Sequence, residues 1–235
     1  MKKYRYETPS HQRKDHNAFT MIELIFVIIV VGILAAMAMP RIDRDIRQGA
    51  AQTILSNIRY TQHLALMDNK HKFDDRNWQK RYWKIMFGTC TGTDRFFMVG
   101  SDDDEDGGAS GFFDINESAI DPTNGKPLFW TNGQDCSQGD TSKTVSPQIF
   151  LSKQYGINGF TFSGGCNGVQ YIGFDRLGRP HVGFHSANNI DPDYASYMPD
   201  DCTISFTFTD NSINDLNITI NKETGYAYIV DQPDS

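Results

Sequence analysis

The stretch Ala18–Pro40, AFTMIELIFVIIVVGILAAMAMP, decides how the rest of the chain is read. From Phe19 to Met39 it runs for 21 residues with one charge, Glu23, and a membrane-spanning helix takes about 20 apolar residues. The reading is a span over 19–40. A carboxylate at the centre of a bilayer costs at least ~2.5 kcal/mol and normally has a partner, whereas one near the membrane surface stays hydrated.

The flank before this stretch is unusual. Lys2, Lys3, Arg5, Arg13 and Lys14 stand against Glu7 and Asp15, so 1–18 carries +3. Basic residues before a span mark its cytoplasmic end, which leaves this segment inside and sends the rest across. An ordinary secretory signal places its apolar core before the cleavage site, but here the apolar run follows the small residue Ala18. A cut at that point keeps the hydrophobic helix and makes Phe19 the new N-terminus.

Ala-Phe-Thr-Met-Ile-Glu-Leu followed by an uninterrupted apolar run resembles the type IV pilin signature, in which a dedicated peptidase cuts before a Phe and an acid stands four residues beyond it. The family usually has Gly where Ala18 stands. The resemblance implies cleavage and N-methylation at Ala18 and Phe19, and an assembly role for Glu23 through the free α-amino group of Phe19 of the same or a neighbouring subunit. It also implies the partners: prepilin peptidase, an inner-membrane assembly platform, other pilin or pseudopilin subunits and secreted substrate.

After Pro40 the helical pattern continues. Ile46, Ala50, Ile54, Ile58, Thr61, Leu64 and Ala65 fall on one arc at about 100° per residue, so 41–75 reads as an amphipathic continuation. Helix from Phe19 to about Asn69 would be roughly 75 Å long at 1.5 Å per residue. Pro40 removes one backbone hydrogen bond and should kink it. From Tyr82 the period shifts to short aromatic or β-branched runs separated by Gly, Asn, Asp and Pro. Tyr82–Phe87, Arg95–Val99, Pro127–Trp130, Gly159–Phe162, Val169–Phe174, His181–Phe184, Cys202–Thr209, Leu216–Ile220 and Tyr226–Val230 read as strands. Gly178 and Gly225 supply turns with positive φ. The fold class is α+β: a leader (1–18), a transmembrane and assembly helix (19–40), its amphipathic continuation (41–75) and an antiparallel β-rich periplasmic head (76–235).

The chain is −7 overall, so −10 remains after the leader. That balance argues against broad phosphate-backbone binding and hence against DNA as a partner. Cys90, Cys136, Cys166 and Cys202 all lie beyond the apolar run. In an oxidising exterior an even count reads as disulfides, and four cysteines allow three connectivities. Cys90–Cys136 and Cys166–Cys202 are favoured because each pair closes a local unit between expected strands; free buried cysteines are the alternative.

Gly100–Lys143 is rich in Gly, Asp, Asn and Ser and reads mostly as loop. Within it, SDDDEDG sets Asp102, Asp104 and Asp106 at alternate positions before Gly107, the first half of a calcium-loop pattern. The closing acid is missing at twelve-residue spacing, where Phe113 stands, although Asp114 and Glu117 are near. The alternative is a solvated acidic loop, which mutual repulsion would keep open without a cation. His181 and His185 would lie about 13 Å apart in a strand, too far to share a metal. Neither a G-x-S-x-G elbow, a P-loop nor H-E-x-x-H is present, so an enzyme is not expected and calcium is the one cofactor considered.

A second resemblance covers the end of the chain. YIGFDRLGRPHVGF, CTISFTF and NITINKETGYAYI look like the C-terminal hairpins of H-type minor pseudopilins of type II secretion. The functional expectation is a structural subunit of a type II secretion pseudopilus or type IV pilus, a minor (pseudo)pilin that assembles through its N-terminal helix, held in the inner membrane with a periplasmic head and extracted into a periplasmic or extracellular filament. The alternatives are a minor pilin whose head binds a secreted protein, a surface or DNA, and a simple anchored periplasmic protein.

Overall fold

The computed structural model describes residues 20–75, 77–105, 111–142, 144–185, 196–230 and 232, without the side chains of 36–45 and 140–142. The order of elements is helix α1 (Met21–Met67), strands β1 (Trp83–Thr89) and β2 (Arg95–Gly100), helices α2 (Cys136–Ser142) and α3 (Leu151–Tyr155), then β3 (Ile157–Gly164), β4 (Tyr171–Phe174), β5 (Pro180–His181), β6 (Cys202–Phe208), β7 (Leu216–Ile220) and β8 (Ala227–Ile229). The α+β expectation holds. Two compact units divide the chain, Met1–Ile42 and Asp43–Ser235.

In the first unit, Thr20 opens α1. The Glu23 backbone N–H donates to Thr20 Oγ1 at 3.3 Å, the contact that a Thr-x-x-Glu sequence makes when its Thr is the N-cap. Glu23 therefore sits in the first turn, where its charge complements the positive end of the helix dipole. The large apolar side chains from Met21 to Leu34 are exposed. Among the described residues no helix is long and apolar enough to cross a membrane. The expected span over 19–40 has its side chains described only for 20–35, so the structure does not supply that span. Helix α1 continues through Pro40, whose side chain lies outside the described set.

In the second unit, α1 presents one face to the core. Ala50, Ala51, Ile54, Leu55, Ile58, Thr61 and Ala65 are buried, with Ile46 and Leu64 packed at the margin. Burying an aliphatic side chain of this kind stabilises by about 1.5–3 kcal/mol. Polar contacts fix the helix in place: Arg47 donates to the carbonyls of Asn214 and Asp215, and Gln62 Nε2 donates to those of Gly178 and Thr224, each at 2.8 Å. The helix ends at Met67, short of the expected 75. Beyond it DNKHKFDD has no apolar period, and the Asn69 side chain accepts the His71 N–H at 3.0 Å in a local turn, a competing hydrogen bond of the kind Asn offers against helix.

Two antiparallel four-stranded sheets complete the unit, ordered β2-β1-β4-β5 and β3-β6-β7-β8. In β6 burial alternates residue by residue, which puts Ile204, Phe206 and Phe208 on the covered face. Phe87 of β1 joins the sheets: its ring lies 5.5–5.8 Å from those of Phe160, Phe162 and Phe206. The two hairpin glycines have positive φ, +78° at Gly178 and +68° at Gly225. A Cβ on Gly225 would meet the Gly178 carbonyl oxygen at 2.3 Å.

The sequence reading places a strand at Pro127–Trp130, and the structure corrects it. This segment makes an isolated bridge, Ile120 with Pro127, and hydrogen bonds to Val99 and Ala119, because Pro127 has no N–H for a ladder. His181–Phe184 is strand only at its first residue. The long segment is pinned by buried Asp121. One of its oxygens accepts from the Thr123 N–H and hydroxyl, and the other accepts from Asn124, Ser146 and Gln148, all at 2.5–2.8 Å. Helix α2 packs Gly139 against the Trp130 and Phe150 rings, where a Cβ would come within 2.2 Å of Phe150. The disulfides Cys90–Cys136 and Cys166–Cys202 are both formed, tying α2 to the end of β1 and the turn after β3 to the start of β6.

Candidate functional site

Three places draw the sequence-derived residues together. The first is the N-terminal motif. Ala18 and Phe19 lie outside the described residues, and Glu23 stands exposed in the first turn of α1, four residues after Phe19. A carboxylate there is placed to meet a positive charge at the start of a helix.

The second is the acidic loop. Asp102, Asp104 and Glu117 bring carboxylate oxygens within 4.8 Å of one another, while Asp106 lies outside the described residues. Glu117 thus takes a place in the trio that spacing alone would not assign, because the chain folds back between them. Oxygen donors of this sort suit a hard divalent cation. Glu117, however, already accepts three backbone N–H groups, from Asp103 at 2.6 Å, Asp104 at 3.1 Å and Asp114 at 2.9 Å, out of about four acceptor positions on a carboxylate. A metal ion would compete with these bonds. The expected open, self-repelling loop is also corrected. Asp103 binds Lys70 at 2.8 Å and Glu105 binds Arg81 at 3.0 Å, so basic residues from outside the tract hold it down.

The third was not anticipated from sequence. Ile85 and Phe87 alternate with Lys84 along β1, so Lys84 points to the other face of its sheet and is fully buried. Its Nζ lies 2.6 Å from His185 Nε2 and 3.4 Å from the Lys80 carbonyl oxygen, and His185 Nδ1 lies 3.8 Å from Asp102 Oδ2. Burial pushes the Lys84 pKa down to about 7, against the opposing pull of Asp102, Glu117 and Asp103. Burial, then the charges of Lys84 and Lys80, hold His185 far below its ordinary value. Neutral His185 accepting from Lys84 is the arrangement these shifts describe. The sequence signal was a lysine inside the strand WKIMF, where a polar residue on an otherwise buried strand needs a partner.

His181 belongs to a separate chain of contacts. Its Nδ1 is 2.8 Å from Ser196 Oγ and its Nε2 is 3.5 Å from Asp175 Oδ2, and Arg179 binds the same carboxylate at 2.7 Å. Burial would raise the Asp175 pKa, yet the contacts with His181, Arg179 and the backbone N–H groups of Arg179 and Leu177 bring it down to about 2. A serine, a histidine and an aspartate in contact invite comparison with acyl-transfer triads. Ser196 and His181 are both buried, which closes the serine to substrate, so the contacts act as a brace between β5 and the segment at Ser196. The two histidines therefore serve separate networks.

Residues 13–39 match the family model of the prokaryotic N-terminal methylation motif. No curated protein and no solved structure matches the chain. The match supports the type IV pilin-like superfamily and a pilin or pseudopilin class of subunit, usually not an enzyme. It implies processing by prepilin peptidase and assembly with other pilin subunits.

Proposed function

We propose that this chain is a minor pilin-like subunit, of the H-type of type II secretion pseudopili or of a type IV pilus, that enters its filament through α1. The observation that carries this reading is Glu23: it is the fifth residue counted from Phe19, it lies within the 13–39 match, and it stands in the first turn of a helix whose following apolar side chains are exposed. Cleavage after Ala18 frees an α-amino group on Phe19, the nearest new cation for that carboxylate. Pairing with the amine of a neighbouring subunit would set the axial register, and the exposed apolar surface would then be covered by other helices.

Before assembly the run 19–40 holds the protein in the inner membrane with its head in the periplasm, an oxidising compartment that fits two disulfides. The assembly platform of that membrane would extract the subunit into the filament. The H-type assignment rests on the hairpins YIGFDRLGRPHVGF and NITINKETGYAYI, which form β4–β5 and β7–β8. A head that binds a ligand is the second reading, favoured by the aromatic cleft described below.

Sequencing the N-terminus of the membrane-bound form tests the proposal. N-methylated Phe19 is expected; Met1 would return the chain to a simple anchored protein. Glu23→Ala should give a processed, membrane-bound subunit whose recovery in sheared filaments falls about tenfold, a loss of about 1.4 kcal/mol.

A further inference from the structure

Within the head, the segment from Asp68 to Trp83 that follows α1 and the β4–β5 hairpin line a cleft of about 160 Å³. Cavities of about 150 Å³ hold one six-membered ring, so one ring is what this cleft admits. Its walls are aromatic. Trp78 and Tyr82 meet edge to face at 5.4 Å, Trp83 lies under the Lys70 ammonium at 5.4 Å, and Tyr197 lies under the Arg179 guanidinium at 4.8 Å.

Polar groups share the wall. Asp68, Asn69 and His71 line the same cleft; Asp68 Oδ2 is taken by Trp83 and Lys70 and Asn69 Oδ1 by the His71 N–H, but Asp68 Oδ1, the Asn69 amide nitrogen and the His71 ring nitrogens keep hydrogen-bonding capacity that an apolar aromatic ring would not use. A ring with hydroxyl groups would satisfy them while its C–H face lies against the tryptophans. The charges select further. Lys70 is matched by Asp68 and Asp103 and Arg179 by Asp175. Arg176, exposed at the cleft, makes no ion pair or side-chain hydrogen bond among the described residues. Among the described residues Arg176 is the guanidinium of the cleft that has no carboxylate partner, which makes it a place for one carboxylate.

We propose that this cleft binds a uronic acid residue of an acidic polysaccharide, with the pyranose ring against Trp78 and Trp83 and its carboxylate on Arg176. The site lies wholly in the head and does not rest on entry into a filament.

The test uses the full chain in detergent micelles, titrated with tetragalacturonate, neutral cellotetraose and benzoate, and read by tryptophan fluorescence and calorimetry. Tetragalacturonate should bind with a dissociation constant of about 1 mM or tighter, with cellotetraose weaker. Arg176→Gln, an exposed change, should weaken the acidic sugar about tenfold and leave the neutral one unchanged. The proposal is overturned if tetragalacturonate does not bind, if benzoate binds as well as the sugar, or if Arg176→Gln leaves the acidic sugar's affinity intact. Filament recovery of the same variant separates the two readings: normal incorporation with lost binding supports the cleft and leaves the filament role standing.

Discussion

Replacing Lys84 by Met should remove a pH dependence that wild-type stability carries. Lys84 is fully buried on β1 and folding lowers its pKa from its ordinary value of 10.5 to about 7. The unfolded chain therefore binds more protons than the folded one between about pH 7 and 10.5, and stability rises with pH across that window. From pH 7 to pH 9.5 the gain is at most about 3 kcal/mol at ~1.4 kcal/mol per unit. Relaxation of the cluster of Asp102, Asp103, Glu117, His185 and Lys80 around the ammonium would reduce it.

The upper limit of pH 9.5 is set by Tyr82 and Tyr171. Burial raises both pKa values, so their ionisation favours the unfolded chain above pH 10 and would act in the opposite direction. Urea unfolding of the full chain in micelles, followed by tryptophan fluorescence at pH 7 and 9.5, measures the effect. Wild type should shift its midpoint upward, and Lys84→Met, similar in volume, should not. Equal slopes in the two proteins, or a flat wild type, would refute the placement of Lys84 as a buried amine that folding discharges.

Other measurements probe the frame around it. Removing the Cys166–Cys202 bond as the double serine variant should cost about 4 kcal/mol on the chain-entropy estimate for its 36-residue separation, seen as a lower urea midpoint without loss of the Cys90–Cys136 bond by mass mapping. Asp121→Asn should cost about 1–3 kcal/mol, because the amide nitrogen can no longer accept from donors now shared over both carboxylate oxygens; an unchanged midpoint would mean that the long segment is held elsewhere.

What the sequence made legible follows from what is local. Helix α1 announces itself through an apolar run and then a 3.6-residue stripe, and β6 through CTISFTF, since both signals repeat within a few residues of themselves. The disulfides were open to inference because an even count of cysteines has few pairings. The N-terminal motif was readable for a similar reason: Ala18, Phe19 and Glu23 stand within six residues, and their meaning depends on order along the chain. The head's interior was less accessible. Lys84 is 101 residues from His185 in sequence and 2.6 Å from it in space, and Glu117 joins Asp102 and Asp104 only after the chain reverses. Neither pairing has a periodicity to betray it. Pro127–Trp130 misled in the opposite sense, since its composition is that of a strand while its hydrogen bonds go to separate segments. The aromatic cleft combines both cases: the stretch WQKRYW is conspicuous, but only the β4–β5 hairpin supplies Arg176 and Arg179. Folding has to bring those cations to the tryptophans before a charge preference exists. The binding specificity proposed for this head is therefore a property of tertiary contact, whereas the proposed entry into a filament would rest on the first turn of one helix.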